Sequence, residues 1–272
     1  ISVLRQTSDL GVDQFNITLD IYDATGVSKY YRYTYEETFK VIAPYWSPYK
    51  VIITSEDPPT ASVIMRPLGE ENKICYGTKK FNGILLTETA SFSENRISKF
   101  SIKKIPINDF SVSYRYSILI KQYIQSLEAY TYYKTLNKFA SEGSLFSQTQ
   151  PGFFNGNVYA VSNSEEKVLG FFDVSSVSEK RVFFTYRDFV NPGIPPPPVD
   201  CEIIAPNIRP EPPIFGTSGS SPLVEALRYD EWVYYRDNVV DENLHGPYQL
   251  VPKGCGDCTV YGTNKKPSFW IE

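Results

Sequence analysis

The sequence predicts a mainly β protein: an antiparallel β-sandwich with immunoglobulin-like strands, one inserted α-helix and a Pro-rich C-terminal module held by disulfides. Long stretches alternate apolar and polar residues, as strands with one solvated face do. The aromatic content is high, with 21 Tyr, 17 Phe and 3 Trp against a single Met. Because Tyr offers a flat apolar ring with a polar tip, this composition favours half-exposed strands over helical bundles. Prolines are concentrated in the last third of the chain.

The strand predictions rest on this alternation. Residues 111–125 contain the longest alternating run, from Val112 to Ile120. In residues 29–40 a strand would place Tyr31, Tyr33 and Tyr35 on one face, because successive side chains point to opposite sides. The other predicted strands are 11–22, 50–54, 83–87, 97–102, 153–161, 167–174 and 180–186.

One segment changes to helical spacing. Leu127, Tyr130 and Leu136 recur at intervals of three or six residues, which predicts a helix near 126–142. Ser126 occupies the position of an N-cap, and Gly143 provides a C-terminal stop. Strands before and after a single helix indicate a sandwich with a helical insertion.

These elements predict three consecutive parts. Residues 1–190 form the sandwich domain, residues 191–222 a Pro-rich surface segment, and residues 223–272 a module packed on the sandwich. The middle part lies where ten of the 20 prolines fall between Pro192 and Pro222. Such a stretch suits neither a helix interior nor a central strand, so we expect extended polyproline on the surface.

Charge and hydropathy exclude some partners. The net charge is −4, the pI is about 5.3, and no run of Lys or Arg exceeds two residues. Such a chain offers no basic surface for nucleic acid or anionic lipid. No apolar stretch approaches the roughly 20 residues of a membrane helix. The chain starts at Ile1 without a leader, so we expect a processed or trimmed end, with any signal peptide or lipid anchor outside it.

The sequence predicts no catalytic residue, metal ligand or cofactor. His245 is the only histidine and lies in a turn-like context, where a solvated side chain is far commoner than a general base. We therefore expect His245→Ala to leave any function unchanged. The FGTSGSSP stretch at 215–222 lacks the pattern of a nucleophile elbow, and phosphate-binding and zincin motifs are missing from the sequence. Distant carboxylates could still meet in the fold.

The four cysteines favour disulfides. Cys255 and Cys258 flank Gly-Asp, a spacing shared by redox pairs, zinc sites and structural disulfides. The following TVYGTNKKP is typical of a strand and turn rather than the helix of a redox motif, and a second close pair of metal ligands is lacking. We predict a disulfide from Cys201 to Cys255 or Cys258, which would hold the Pro-rich segment. Cys75 either pairs or stays a buried thiol.

Two aromatic clusters are candidate surfaces for a partner or ligand, because aromatic rings stack on sugars and anchor protein interfaces. Core packing is the alternative and the commoner role for such residues. Pro44 and Pro48 flank residues 45–47 and make that loop the more exposed one. The clusters are Tyr45, Trp46 and Tyr49, and Trp232, Tyr234 and Tyr235.

Five segments in order resemble a family of Bacteroidota surface lipoproteins, a DUF4249-like domain of unknown function commonly encoded beside TonB-dependent outer-membrane receptors. The segments are 30–39 (YYRYTYEETF), 75–97, 114–136, 156–183 and 255–270 (CGDCTVYGTNKKPSFW). The resemblance implies a lipid-anchored protein exposed on the outer membrane, usually with an immunoglobulin-like domain ahead of this region. It implies no site residues and no established enzymatic role.

From this resemblance we expect a non-catalytic accessory or substrate-binding subunit of a TonB-dependent, SusC-like outer-membrane barrel, acting in nutrient capture or gating. Its membrane association would come only from an N-terminal lipid anchor outside this chain. A structural subunit of a larger outer-membrane assembly is the alternative, and a surface hydrolase is a third hypothesis. Genomic neighbourhood is an analogy and supplies no chemistry by itself.

Overall fold

The computed structural model describes residues 1–141, 156–163, 166, 168, 170–209, 221–228, 232–239 and 246–272. These residues form a mainly β protein with antiparallel sheets, as predicted, and the architecture is consistent with a β-sandwich. The strands are β1 (Ser2–Thr7), β2 (Asp13–Tyr22), β3 (Tyr30–Ile42), β4 (Tyr49–Glu56), β5 (Pro59–Met65), β6 (Ile74–Lys80), β7 (Leu85–Glu88), β8 (Arg96–Pro106), β9 (Arg115–Gln125), β10 (Val177–Thr185), β11 (Trp232–Asp237) and β12 (Tyr248–Pro252). The helices are α1 (Leu127–Ser141), α2 (Pro222–Arg228) and α3 (Lys253–Gly256). None of the described helices is long and apolar enough to cross a membrane.

The strands that the structure describes form four sheets. The orders are β1-β2-β8, β10-β9-β3-β6 with β7 also paired to β3, β4-β5, and β11-β12. The pairs β1–β2, β2–β8, β3–β7, β4–β5 and β11–β12 are all antiparallel. Strand β3 has the predicted alternation: Tyr31, Tyr33 and Tyr35 are buried, while the residues between them are partly exposed.

The chain divides into two compact units that are interleaved in sequence. Unit 1 comprises 1–37, 79–107 and 117–183, and unit 2 comprises 38–78, 108–116 and 184–272. This division differs from the consecutive parts 1–190, 191–222 and 223–272 expected from the sequence. The physical reason is the pairing of β2 with β8, because these strands are far apart along the chain and the residues between them include a segment of unit 2.

Two predicted strands are wrong. The described residues of 153–161 and 167–174 lie in no strand. A side chain, and not backbone pairing, links the two segments. The Nδ2 of Asn157 donates to the carbonyl of Phe172, and its Oδ1 accepts from the Phe172 N–H, each at 2.7 Å. The predicted strand 111–125 begins late, at Arg115, because Phe110–Val112 forms a 3-10 turn capped by Asp109. The strands β1, β5, β6, β11 and β12 were not predicted.

Helix α1 begins as predicted. The Oγ of Ser126 accepts a hydrogen bond from the Ala129 N–H at 3.1 Å, and the Ser126 carbonyl accepts from the Tyr130 N–H at 3.0 Å. The side chain thus satisfies one of the donors that a helix N-terminus leaves unpaired. The ring of Tyr130 packs on Tyr30 of β3, with centroids 5.0 Å apart. Gly143, the predicted stop, lies outside the described residues.

The Pro-rich segment follows the prediction in its described part. Residues 192–203 form no helix or strand, and Pro195 and Pro198 are exposed. The segment is attached at Pro197, whose carbonyl accepts a hydrogen bond from Ser113 Oγ. It is attached again at Ile204, which forms an isolated β-bridge with Leu250. These contacts, all within unit 2, hold a proline-rich backbone that cannot form a ladder of its own.

Candidate functional site

Two disulfides meet at the Cys255–Cys258 segment in unit 2. Cys201 bonds to Cys255, one of the two partners that the sequence left open, and Cys75 bonds to Cys258. All four thiols are therefore consumed. This pairing excludes a redox pair within the segment and a zinc site built on these thiolates, because both require free cysteines.

Backbone hydrogen bonds extend this anchor to the loop that precedes β4. The N–H of Tyr45 donates to the carbonyl of Cys255 at 3.0 Å, and the N–H of Cys258 donates to the carbonyl of Asn72 at 2.9 Å. The Asp257 carboxylate accepts from Asn72 Nδ2 at 3.1 Å and from the Thr259 N–H at 2.9 Å. The first predicted aromatic cluster therefore starts from a fixed backbone.

The structure brings part of each predicted aromatic cluster together. The rings of Tyr45 and Tyr235 meet edge to face, with centroids 4.9 Å apart and planes inclined by 76°. Strand β4, which begins at Tyr49, packs against β11, which carries Tyr235. Tyr49 is 44% exposed, whereas Tyr45, Trp46 and Tyr235 are half-buried. We call these four residues the aromatic patch.

Each of two cations lies over a ring of the patch. The Lys73 ammonium is 6.0 Å from the Trp46 ring centroid, and the Arg236 guanidinium is 5.0 Å from that of Tyr235. Such cations are attracted by the electron-rich ring face. Arg236 is held in place by a 2.7 Å hydrogen bond from its Nε to Gln249 Oε1. The patch therefore combines apolar rings with positive charge.

Tyr234 takes the core position that was the alternative for these residues, and Trp232 packs against the same core. Tyr234 is 6% exposed and packs with Leu223 and Leu250 in the core of unit 2, and Trp232 is partly buried against the same cluster. Burial raises the pKa of Tyr234, and its hydroxyl donates to Asp237 at 2.9 Å. Alternation explains the difference, since 232 and 234 share the inward face of β11. A register shift between Tyr234 and Arg236 accompanies the outward position of Tyr235.

Sequence reasoning missed the two cations of the patch. Arg236 directly follows Tyr235, so its position in the sequence could have indicated a cation beside this ring. Lys73 is 27 positions from Trp46 in sequence, and no local pattern connects them. His245 and most of the FGTSGSSP stretch lie outside the described residues, so their predicted roles stay predictions. Within the described part of the chain, no group of three or more His, Cys, Asp or Glu is placed to hold a metal ion.

The fold and the patch define a mainly β protein with two structural disulfides and a fixed, half-exposed aromatic surface. The chain belongs to the family described as a domain of unknown function (DUF4249), which matches residues 1–181. The match includes Tyr45, Trp46 and Tyr49 and ends before Cys201 and Tyr235. Neither a curated protein nor a solved structure shows significant similarity to the chain.

Proposed function

We propose that this protein is a non-catalytic accessory or substrate-binding subunit of a TonB-dependent outer-membrane transporter, lipid-anchored on the surface of a Bacteroidota cell. Family membership supports the proposal through the five-segment resemblance, which associates such chains with transporter genes. The disulfides also support it, since structural disulfides persist in oxidising compartments outside the cytosol.

The observation that carries the proposal is the contact between Tyr45 and Tyr235 in the aromatic patch. Protein interfaces are enriched in Tyr, Trp and Arg, and a few such residues supply most of the binding free energy. The patch joins three Tyr and one Trp with the stacked cations Lys73 and Arg236. Its backbone is fixed before binding, so little conformational entropy is lost when a partner docks.

A structural subunit of a larger outer-membrane assembly is the second candidate. The patch supports this candidate as well, because a half-exposed surface of rings suits a permanent protein contact as well as a contact that regulates transport. The two candidates differ in whether transport depends on the contact.

Purification from the native membrane tests the proposal. The full-length tagged protein, extracted in mild detergent from its own host, is expected to carry a TonB-dependent barrel with it. Trp46→Ala and Tyr49→Ala should each weaken the association about thirtyfold and reduce the recovered barrel accordingly, since interface anchors lose about 2 kcal/mol on truncation. Transport by the cells should fall in parallel if the subunit is an accessory and stay unchanged if it is structural.

Tyr159→Ala removes an exposed ring that belongs neither to the patch nor to any other proposed site, and it is the matched control. Melting temperatures of all variants identify any loss that comes from unfolding; Tyr49, the most exposed of the four, is the safer variant. Recovery of the wild-type protein alone would refute the transporter assignment. Full recovery of the barrel by both patch variants would refute the role of the patch.

A further inference from the structure

A polar hollow in unit 1 is formed by residues that are not part of the aromatic patch. It has a volume of about 490 Å³ and is lined by residues 22–26, 29 and 93–96. The loop after β2 forms one side, and the turn leading into β8 forms the other. Ligand pockets in proteins commonly span about 300–1,000 Å³, so the hollow has the size of a small-molecule site. Most such pockets have apolar walls, whereas this one is mainly polar, which narrows the class of ligand.

The two sides of the hollow are tied together by one buried amide. Asn95 is 6% exposed, and its Nδ2 donates to the Asp23 carboxylate at 3.2 Å and to the Ser28 carbonyl at 2.6 Å. Its Oδ1 accepts from the hydroxyls of Thr89 and Tyr31. With all of these bonds made, Asn95 is a positioning residue and keeps the hollow formed in the absence of ligand.

Asp23 orders the loop on its own side. Its carboxylate accepts from the Thr25 hydroxyl at 2.6 Å and from the N–H groups of Thr25 and Ser28 at 2.9 Å. These donors, that of the Thr25 hydroxyl first, lower the pKa of Asp23 to about 2. The Asp23 side chain is therefore charged and already occupied, and the remaining polar side chains are the ones available to a ligand.

An exposed aromatic ring stands at the rim of the hollow. Tyr22, the last residue of β2, is 65% exposed and is the register partner of Arg96 on β8. The Arg96 guanidinium lies 5.2 Å from the ring centroid, so it orients the ring from one side. The rest of the ring remains open to solvent, and a ligand with an apolar face could stack on it.

Three charged side chains in the lining of the hollow keep free hydrogen-bonding capacity. The side chains of Lys29, Glu94 and Arg96 form no hydrogen bond or ion pair with the other residues that the structure describes. With Asp23, the lining holds two acidic and two basic groups, so its formal charge is zero. A phosphate-bearing ligand would need net positive charge, and an apolar one would need apolar walls. A neutral molecule with many hydroxyls and an apolar face matches both the ring and the free donors and acceptors.

We propose that the hollow binds a neutral saccharide, with a C–H face of a sugar ring stacked on Tyr22 and hydroxyls hydrogen-bonded to Glu94, Arg96 and Lys29. The stack gives affinity, and the charged partners give orientation, because hydrogen bonds to charged groups are the stronger ones. This inference deepens the proposed function, in that it names a substrate class for a substrate-binding subunit. The test of the saccharide site uses only the isolated protein, so the saccharide site and the transporter assignment can each fail without the other.

The purified protein is screened against an array of neutral and uronic-acid oligosaccharides, and affinities for the bound ones are measured by titration calorimetry. We expect neutral oligosaccharides to bind. Tyr22→Ala should weaken binding about tenfold, the equivalent of 1.4 kcal/mol, and Glu94→Ala should weaken it severalfold. Tyr22→Phe keeps the ring and should bind as the wild type does. Tyr49→Ala changes the aromatic patch alone and should also bind normally.

Three results would overturn the inference: no neutral saccharide binds, only the acidic saccharides bind, or neutral binding survives Tyr22→Ala unchanged. Melting temperatures of the variants show whether a loss comes from unfolding, and Tyr22→Phe serves as the folded comparison. If saccharides fail to bind while a transporter barrel still co-purifies, the saccharide site is refuted and the accessory role stands. If saccharides bind and no barrel co-purifies, the transporter assignment is refuted and the saccharide site stands.

Discussion

The backbone N–H of Tyr45 donates a 3.0 Å hydrogen bond to the carbonyl of Cys255. Cys255 is bonded in turn to Cys201, 54 positions earlier in the chain. A covalent bond from within the Pro-rich segment therefore lies one hydrogen bond away from the aromatic patch. The disulfide that stabilises the fold therefore also helps to fix the backbone of the aromatic patch.

Removal of the Cys201–Cys255 disulfide should lower the free energy of unfolding. In the double variant Cys201→Ala, Cys255→Ala we expect a loss of about 2–5 kcal/mol, because the unfolded chain regains the entropy of an open loop. Guanidinium unfolding under non-reducing conditions measures this loss. The wild type after reduction of both disulfides should be less stable than the double variant, which retains Cys75–Cys258. Unfolding curves that superimpose for the wild type and the double variant would contradict the prediction.

Tyr234 and Tyr49 should respond differently to truncation. Tyr234→Ala removes a ring from the core around Leu223 and Leu250, and we expect a loss of about 3–5 kcal/mol, as for other large aromatic residues. Tyr49→Ala, at an exposed position, should change the free energy of unfolding by no more than about 0.5 kcal/mol. Urea unfolding of both variants compares them directly. Equal losses would mean that Tyr49 belongs to the core and not to the patch.

Gly256 should not tolerate a side chain. A Cβ at this position would collide with Cγ2 of Val233 on β11, so Gly256→Ala should cost about 1–3 kcal/mol through overpacking. Gly193→Ala is the control, because the nearest atom to a Cβ there is Asn191 Oδ1, at an ordinary 3.5 Å. Thermal unfolding of the two variants checks the difference. A Gly256→Ala protein as stable as the Gly193→Ala protein would show that α3 packs less closely on β11 than the structure indicates.

Stability should fall at alkaline pH. Burial raises the pKa of Tyr35 to about 12 from an ordinary value of 10.0, with a smaller contribution from Glu37. The folded state therefore keeps a proton that the unfolded state releases, and the resulting stabilisation is complete below pH 10 and disappears as pH rises towards 12. Burial also raises the pKa values of Tyr33 and Tyr234, in the same direction.

The measurement for this prediction is urea unfolding at a series of pH values between 10 and 12. Tyr35→Phe removes one of the titrating hydroxyls, so its stability should decline less steeply with pH than that of the wild type. The decline should not vanish, since Tyr33 and Tyr234 still titrate. Parallel pH curves for the wild type and Tyr35→Phe would show that Tyr35 is not protected from ionisation in the folded state.

The sequence by itself determined the features that depend on a local period. Alternation identified the buried face of β3 with Tyr31, Tyr33 and Tyr35, and the change of period located α1 with its cap at Ser126. The same rule produced wrong strands at 153–161 and 167–174. A period shows which side of a segment is apolar, but a strand also needs a neighbour with which to form hydrogen bonds.

The tertiary structure decided which side chains meet and which stay exposed. Tyr45 and Tyr235 are 190 positions apart, and Cys75 and Cys258 are 183 apart, and no local pattern links either pair. Their meeting depends on sheet register and on the path of the chain between strands. Packing decided which face of β11 is buried: Tyr234 lies against Leu223 and Leu250, so Tyr235, its neighbour on the opposite face, is the one left partly exposed.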